Sequence, residues 1–353
     1  MSWSSKEMFR RDLLPILRCV LCHSTRLELL DAWEGPTIPN EKISRSIKCS
    51  DCGESYPITH DFIPIIWSRD LRDVVIGTTD SGPCSIRANV RIYDSFSDSY
   101  DRYTRRGSEV PKRMNNAAEK LLLSQRSNGV LPGKELHLDF GCGPGHVLEW
   151  LNGLGMIQVG LDVSLANLRN ARKKTGAMVV CGDAANMPFK DDMFCLVTES
   201  SVLHHIQDWR AAVAEACRVC NKEGGIILDS EPSKDSLNWS VLARFVFDLR
   251  LYVYPLLRHV AKSKYVFRSK KDIELNLEAE IHNQPGRGFD IEELRAIFKG
   301  RGFTVEIIKS PTESLQSRAK PTWESMILNV LSLHNPWNPK YYPFMALAKQ
   351  KVK

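Results

Sequence analysis

Five short apolar runs, "ELHLDFG", "IQVGLDVS", "AMVVCGDA", "MFCLVTES" and "GGIILDSE", follow one another between residues 135 and 231, alternating with helical patterns. Strands that alternate with helices in this way build a parallel sheet with helices on both faces, which places the chain in the α/β class. "FDIEELRAIFKGRGFTVEIIKS" returns to helix plus strand after an insertion, and "YYPFMALAKQK" closes the chain as a final strand. Upstream, "YDSFSDSYDRYTRR" and "NNAAEKLLLSQRSNG" read as helical. There is no internal repeat.

At 353 residues the chain exceeds one small domain. Composition and punctuation divide it into a cysteine-bearing unit at 10–68, a linker at 69–90 around "GTTDSGPCS", an α/β core at 91–231 and 289–353, and a helical cap insertion at 232–288. Hydrophobic content of 43% and charged content of 25% suit a globular protein. A net charge of +6 falls short of a dedicated nucleic-acid binder. No run approaches the eighteen apolar residues of a spanning helix, and "DLLPIL" at the N-terminus stops at Arg18 without a cleavage site, so no signal peptide is expected. Ten scattered cysteines suit a reducing cytoplasm.

Four of those cysteines form two C-x-x-C knuckles, Cys19 with Cys22 and Cys49 with Cys52. Four thiolates so paired can enclose a tetrahedral Zn²⁺ with no open position for water, which makes the expected metal structural. The 26 residues between the knuckles exceed the usual gap and call for a longer hairpin. Cys217 and Cys220 share the spacing but lack a partner pair. They are expected as small hydrophobes on one helical face.

The first run leads into a glycine turn, "LDFGCGPG", in which Gly141, Gly143 and Gly145 fall as G-x-G-x-G and not as the dinucleotide fingerprint. Asp139 stands immediately before it, where a carboxylate repels a pyrophosphate but suits a positively charged group or a hydroxyl. Asp162 ends the second run, placed to accept from ribose hydroxyls. Asp183 ends the third, where it can accept from an adenine amine while the Ala184 N–H donates to the ring. Three acids at one sheet edge describe a nucleoside without a phosphate tail.

These segments resemble the class I S-adenosylmethionine-dependent methyltransferases, most closely their ubiquinone/menaquinone branch. "LDFGCGPG" resembles the first motif, "GLDVS" the ribose acid and "GDAANMPF" the adenine segment; "FCLVTESSVLHHIQDW" and "EACRVCNKEGGIILDSEP" resemble the fourth and fifth strands with their helices. The resemblance implies a Rossmann-like seven-stranded sheet of order 3-2-1-4-5-7-6 with strand seven antiparallel, and S-adenosylmethionine as cofactor. It implies a cofactor site from Asp139, Gly141, Cys142, Gly143, Gly145, Asp162, Val163, Asp183, Ala184, Glu199 and Ser200, closed over by aromatic residues of the N-terminal helix, with Tyr93, Tyr100 and Tyr103 as candidates. "LRCVLC" with "IKCSDCGESYPITHDFIPII" is similar to the small zinc-ribbon subunit that activates several tRNA, rRNA and protein methyltransferases, here fused to the enzyme.

Methyl transfer is an in-line displacement that depends chiefly on alignment. A base is needed when the acceptor carries a tightly held proton, and His204 and His205, just after the fourth strand, are the candidates, with Tyr100 as partner. Related small-molecule enzymes imply His204 first. The expected acceptor is a small metabolite, lipid-, quinone-, sugar- or polyketide-like, methylated on oxygen or carbon. "TESS" at 198–201 replaces the N-P-P-Y-type tetrapeptide of amino-group methyltransferases. An RNA methyltransferase using the ribbon, or a non-catalytic scaffold, are the alternatives; nucleic acid is a partner only in the first of these. In the cap, Val241, Phe245, Leu249, Tyr252, Leu256 and Val260 recur at helical spacing among eight lysines and arginines. That stripe fits a packed cap helix, an acceptor wall, a basic surface for membrane or RNA, or a homo-oligomer contact. His282 is expected where the cap returns to the core, beside the acceptor.

Overall fold

The computed structural model describes residues 9–77, 86–94, 109–126, 135–257, 277–309 and 323–350. Three antiparallel strands, β1 (Leu27–Leu30), β2 (Ile43–Cys49) and β3 (Ser55–Thr59), form a small sheet in the order β1-β2-β3. The next strand, β4 (Ile65–Ile66), leaves that sheet and joins the large one. Two helices follow, α1 (Arg69–Ile76) and α2 (residues 86–94). The segment expected as a linker is therefore helical at both described ends. Ser68 caps α1 through Leu71 N, and Leu71 and Ala88 are buried.

Helix α3 (Glu109–Arg126) leads to β5 (Leu136–Phe140), α4 (His146–Trp150), β6 (Ile157–Asp162), α5 (Leu165–Thr175), β7 (Met178–Gly182), β8 (Phe194–Ser200), α6 (Trp209–Val219) and β9 (Cys220–Glu231). After α7 (Val241–Leu257) come α8 (Ile291–Gly300), β10 (Phe303–Lys309), α9 (Trp323–Leu331) and β11 (Phe344–Gln350). The large sheet runs β4-β7-β6-β5-β8-β9-β11-β10. Strands β5 to β9 pair in parallel, while β11 is antiparallel to both β9 and β10. With β5 as the first core strand, this is the order 3-2-1-4-5-7-6 and an eighth strand, β4, at the edge. This is a Rossmann-like class I methyltransferase sheet, extended by one strand from the cysteine-bearing segment.

Strand alternation explains the two covered faces. On β9, Ile226 and Leu228 pack with α6 and α8 through Ala212, Val213, Ala216, Leu294 and Phe298, whereas Ile227 packs on the opposite side with Met114, Leu121, Val147 and Leu151 of α3 and α4 and the turn after α4. The first of these cores is continuous with Leu17, Ile47, Tyr56 and Ile58 of the N-terminal segment. Leu17 bridges to Phe189, and Arg169 of α5 pairs with Glu41 at 2.7 Å and with Asp61 at 3.2 Å. Asp61 also takes Arg172 at 2.6 Å. Helix α6 ends at Val219, so Cys220 begins β9 and does not share a helical face with Cys217; both are buried.

Candidate active site

A cavity of about 500 Å³ opens at the carboxyl ends of β5, β6, β7 and β8, the edge where open α/β sheets bind ligands. It is of the size that small-molecule sites occupy. Asp139, Gly141, Cys142, Gly143, Asp162, Val163, Asp183, Ala184 and Ser200 all line it. The glycine turn explains part of its shape. Gly143 has φ +51°, and a Cβ placed there would meet nothing within 4 Å, so the backbone is bare toward the cavity. Gly145, at φ +83°, does not line it; a Cβ there would stand 2.9 Å from the Ala171 Cα of α5. Its role is to let α4 and α5 approach.

Each acid is held by its own set of donors. Asp162 accepts from Gly143 N and from Ser164 N, both at 2.8 Å, one on each oxygen. Each oxygen retains a lone pair for a vicinal diol, and burial pushes this carboxyl up to about 6. Asp139 accepts from Thr198 Oγ1 at 2.7 Å. His137 Nε2 lies 2.8 Å from the same hydroxyl, whose proton is committed to Asp139, so the histidine donates. Burial, with the charge of Asp162 adding to it against the Thr198 bond, raises Asp139 to about 8. A buried acid so raised is poised to ionise beside an arriving cation. Asp183 accepts from Ala185 N at 2.8 Å and from Ser68 Oγ at 3.3 Å.

The other end of the cavity is formed by the turn after β8. Glu231, at the end of β9, accepts the backbone N–H groups of Val202, Leu203 and His204 at 2.8 to 3.1 Å. Its Oε2 also meets His204 Nδ1 at 3.0 Å, and Glu280 Oε2 lies 3.4 Å from His204 Nε2. With a carboxylate at each nitrogen and only 5% of its surface exposed, His204 is an anchor. It does not line the cavity, although the sequence pattern favours it as the base. Glu199 also lies beneath this turn, bonded to Val202 N and Asp229 N. Burial, then the charge of Glu231, pushes it well above the carboxylate range.

His205 lines the cavity. Its Nδ1 lies 3.0 Å from the Ala279 carbonyl, which can only accept, so Nδ1 carries the proton and Nε2 presents its lone pair. Tyr93 Oη donates to that nitrogen at 3.1 Å. Burial and the neighbouring His204 charge lower His205 to about 4, so the ring is neutral at physiological pH. Helix α2 carries Tyr93 and lies along the cavity mouth: Asn89 Nδ2 donates to the His205 carbonyl at 3.3 Å, and Asp94 accepts from Ser164 Oγ at 2.6 Å. Tyr100 and Tyr103 lie outside the described residues. His282 does not line the cavity; its ring packs on Phe289 at 5.5 Å between centroids. Two anchors escaped the sequence reading: Glu231, for which the acid closing "GGIILDSE" was the available signal, and Arg113, whose 2.7 Å bond to buried Asp229 ties α3 to β9.

Residues 138–228 match the profile of a family described as a methyltransferase domain, Methyltransf_11, and so span the glycine turn, the three acids and both histidines. The chain carries a class I S-adenosylmethionine-dependent methyltransferase domain. Among curated proteins, this methyltransferase is 28% identical over 232 residues to the demethylmenaquinone methyltransferase of Staphylococcus aureus, an alignment covering 63% of the chain and 87% of that protein. Looser likenesses extend to solved structures. One is from a complex between the Haloferax volcanii Trm112 methyltransferase activator and a methyltransferase, at 14% identity and TM-score 0.42, covering 74% of this chain and 98% of that one. Another is the Synechocystis magnesium protoporphyrin IX methyltransferase with bound S-adenosylhomocysteine, at 16% identity and TM-score 0.38, covering 75% and 100%.

Away from this cavity, one sulfur from each of Cys19, Cys22, Cys49 and Cys52 lies within 4.8 Å of the other three. Cys19 and Cys52 are 3.6 Å apart, as are Cys22 and Cys49. Tetrahedral Zn–S bonds of ~2.3 Å imply sulfur–sulfur edges of ~3.8 Å, so the donor set fits such an ion. Tyr56, fully buried, reaches Cys19 Sγ at 3.0 Å and accepts from Val20 N.

Proposed function

We propose that this methyltransferase acts on a small-molecule acceptor, at an oxygen or an acidic carbon, with His205 as the base. The observation that carries this reading is His205 itself, a neutral imidazole on the cavity wall whose proton is held at Nδ1 and whose Nε2 faces Tyr93. S-Adenosylmethionine supplies the electrophilic methyl group as a sulfonium. Asp162 would hold the ribose diol, Asp183 and Ala184 the adenine, and Asp139 the methionine amino group. Cys142, Val163 and Ser200 complete the wall, while Glu199 and Gly145 act through the turns they hold. Tyr93 Oη turns from His205 Nε2 to donate to the acceptor oxygen, and the acceptor proton passes to the lone pair so freed on Nε2. The Staphylococcus aureus relative, by its name a demethylmenaquinone methyltransferase, supports an apolar small-molecule acceptor. The four cysteines are proposed to hold one structural Zn²⁺.

Native mass spectrometry of the purified chain tests both cofactors, with one zinc and co-purified S-adenosylhomocysteine expected. Incubation with labelled methyl donor and a cell extract then tests the acceptor. Label in the small-molecule fraction supports the proposal; label in RNA overturns it.

A further inference from the structure

Among the described residues, metal-ligating side chains converge in two places. One is the four-cysteine set. The other is His204, His205 and Glu280, each of which brings one ligand atom within 4.8 Å of the other two. The path of the chain explains the meeting. His204 and His205 are neighbours in the turn after β8, with ring centroids 4.2 Å apart. Glu280 is carried to them by the returning end of the cap insertion, where His282 N donates to the His204 carbonyl at 3.0 Å.

The outer partners of both rings are those of metal ligands. Nδ1 of His204 meets the Glu231 carboxylate and Nδ1 of His205 the Ala279 carbonyl, each at 3.0 Å. Histidines that ligate through one nitrogen donate through the other to a carboxylate or a carbonyl, which fixes the ring. Nε2 of His204 then lies 3.4 Å from Glu280 Oε2. Charge-assisted hydrogen bonds run shorter, at ~2.7–2.9 Å. Bonds of ~2.1 Å to a tetrahedral ion place its donors ~3.4 Å apart. Two imidazoles with one carboxylate suit zinc or ferrous iron, whereas Mg²⁺ takes oxygen donors. Glu280 is partly exposed, which gives an ion a way in from solvent. We infer that His204, His205 and Glu280 form a second metal site, for a divalent transition-metal ion such as Zn²⁺.

The consequence for transfer rests on the role proposed for His205. An ion bound at Nε2 takes the lone pair meant for the acceptor proton. An ion bound at Nδ1 moves the ring proton to Nε2. The base is lost in both cases, so a filled site is an inhibited one.

Calorimetric titration of the purified full chain with Zn²⁺, its zinc content measured beforehand, tests the site. Zinc should bind beyond the equivalent held by the four cysteines, and Mg²⁺ should not compete for it. Glu280→Gln and His205→Gln should each weaken this second binding at least tenfold and leave the first zinc in place. S-Adenosylhomocysteine affinity within a few-fold of wild type would show that each variant is folded. No second binding in wild type, or a second binding that neither substitution weakens, overturns the inference. Transfer of labelled methyl should fall at least tenfold as the second site fills. If zinc fills it and transfer is undiminished, the metal site stands and the base assignment of His205 falls.

Discussion

Ser68 Oγ donates to Asp183 Oδ2 at 3.3 Å, so the residue that ends the cysteine-bearing segment touches the acid at the third strand end. Two residues earlier, Ile66 pairs with Gly182 across the sheet edge. The four-cysteine unit and the adenine side of the cavity are thus joined by one extended stretch of chain. Stripping the proposed zinc with a chelator should therefore weaken S-adenosylhomocysteine binding, by tenfold or more, and lower the melting temperature. Calorimetric titration before and after chelation, with metal content measured, checks this. Unchanged affinity in metal-free protein would break the proposed coupling.

Asp61 carries the electrostatic part of the same joint. Burial raises its carboxyl, but bonds from Arg169 and Thr59 and the charges of Arg169 and Arg172 outweigh that and hold it well below the usual range. A depressed acid contributes stability that is full above its unfolded pKa near 3.8 and is lost as pH falls toward the folded value. Asp61→Asn should destabilise the chain by ~1–3 kcal/mol at pH 7, as expected of bonds to a charged group. The gap to wild type should close as pH drops below about 4. Denaturant melts at neutral and acid pH measure it, and a gap independent of pH would point to packing instead.

Asp139 runs the opposite way. Its folded pKa of about 8 lies above the unfolded value, so the native state holds the extra proton and stability declines as pH rises from about 4 to about 8. Asp139→Asn should then be no less stable than wild type at pH 8, yet bind S-adenosylmethionine at least tenfold more weakly. In wild type, cofactor binding at pH 7 should release a fraction of a proton as Asp139 ionises. Titration calorimetry in buffers of different ionisation enthalpy reads that proton directly; heats that do not vary with buffer would refute it.

The α/β core was legible in sequence because its signals are local. The apolar strand runs and the turn of Gly141, Gly143 and Gly145 each state their own geometry within a few residues. The acids Asp139, Asp162 and Asp183 were legible for the same reason, since a strand end is fixed by its own run. Pairings across the chain were not. That Ile65 and Ile66 would leave their hairpin for the edge of another sheet depends on Cys181 and Gly182, more than a hundred residues away. The choice between two adjacent histidines likewise depends on distant partners. Glu231 and Glu280 claim His204, while Ala279 and Tyr93 turn His205 to the cavity.

That choice is open to measurement, because the two rings should fail differently. His205→Gln removes the nitrogen proposed to take the acceptor proton but leaves the turn after β8 anchored by Glu231. Cofactor affinity should stay within a few-fold of wild type while kcat falls ~10²–10⁴-fold, the usual worth of a positioned base. Tyr93→Phe should cost less, since it removes one donor. In wild type, a histidine lowered to about 4 is already unprotonated well below neutrality, so the acid limb of kcat/KM should appear only as pH approaches that value. His204→Gln instead leaves Glu231 and Glu280 without the ring between them. Breaking such a buried set costs ~3–5 kcal/mol, so this variant should lose stability and cofactor binding together. If His204→Gln kept its melting temperature and lost only kcat, the assignments of the two histidines would have to be exchanged.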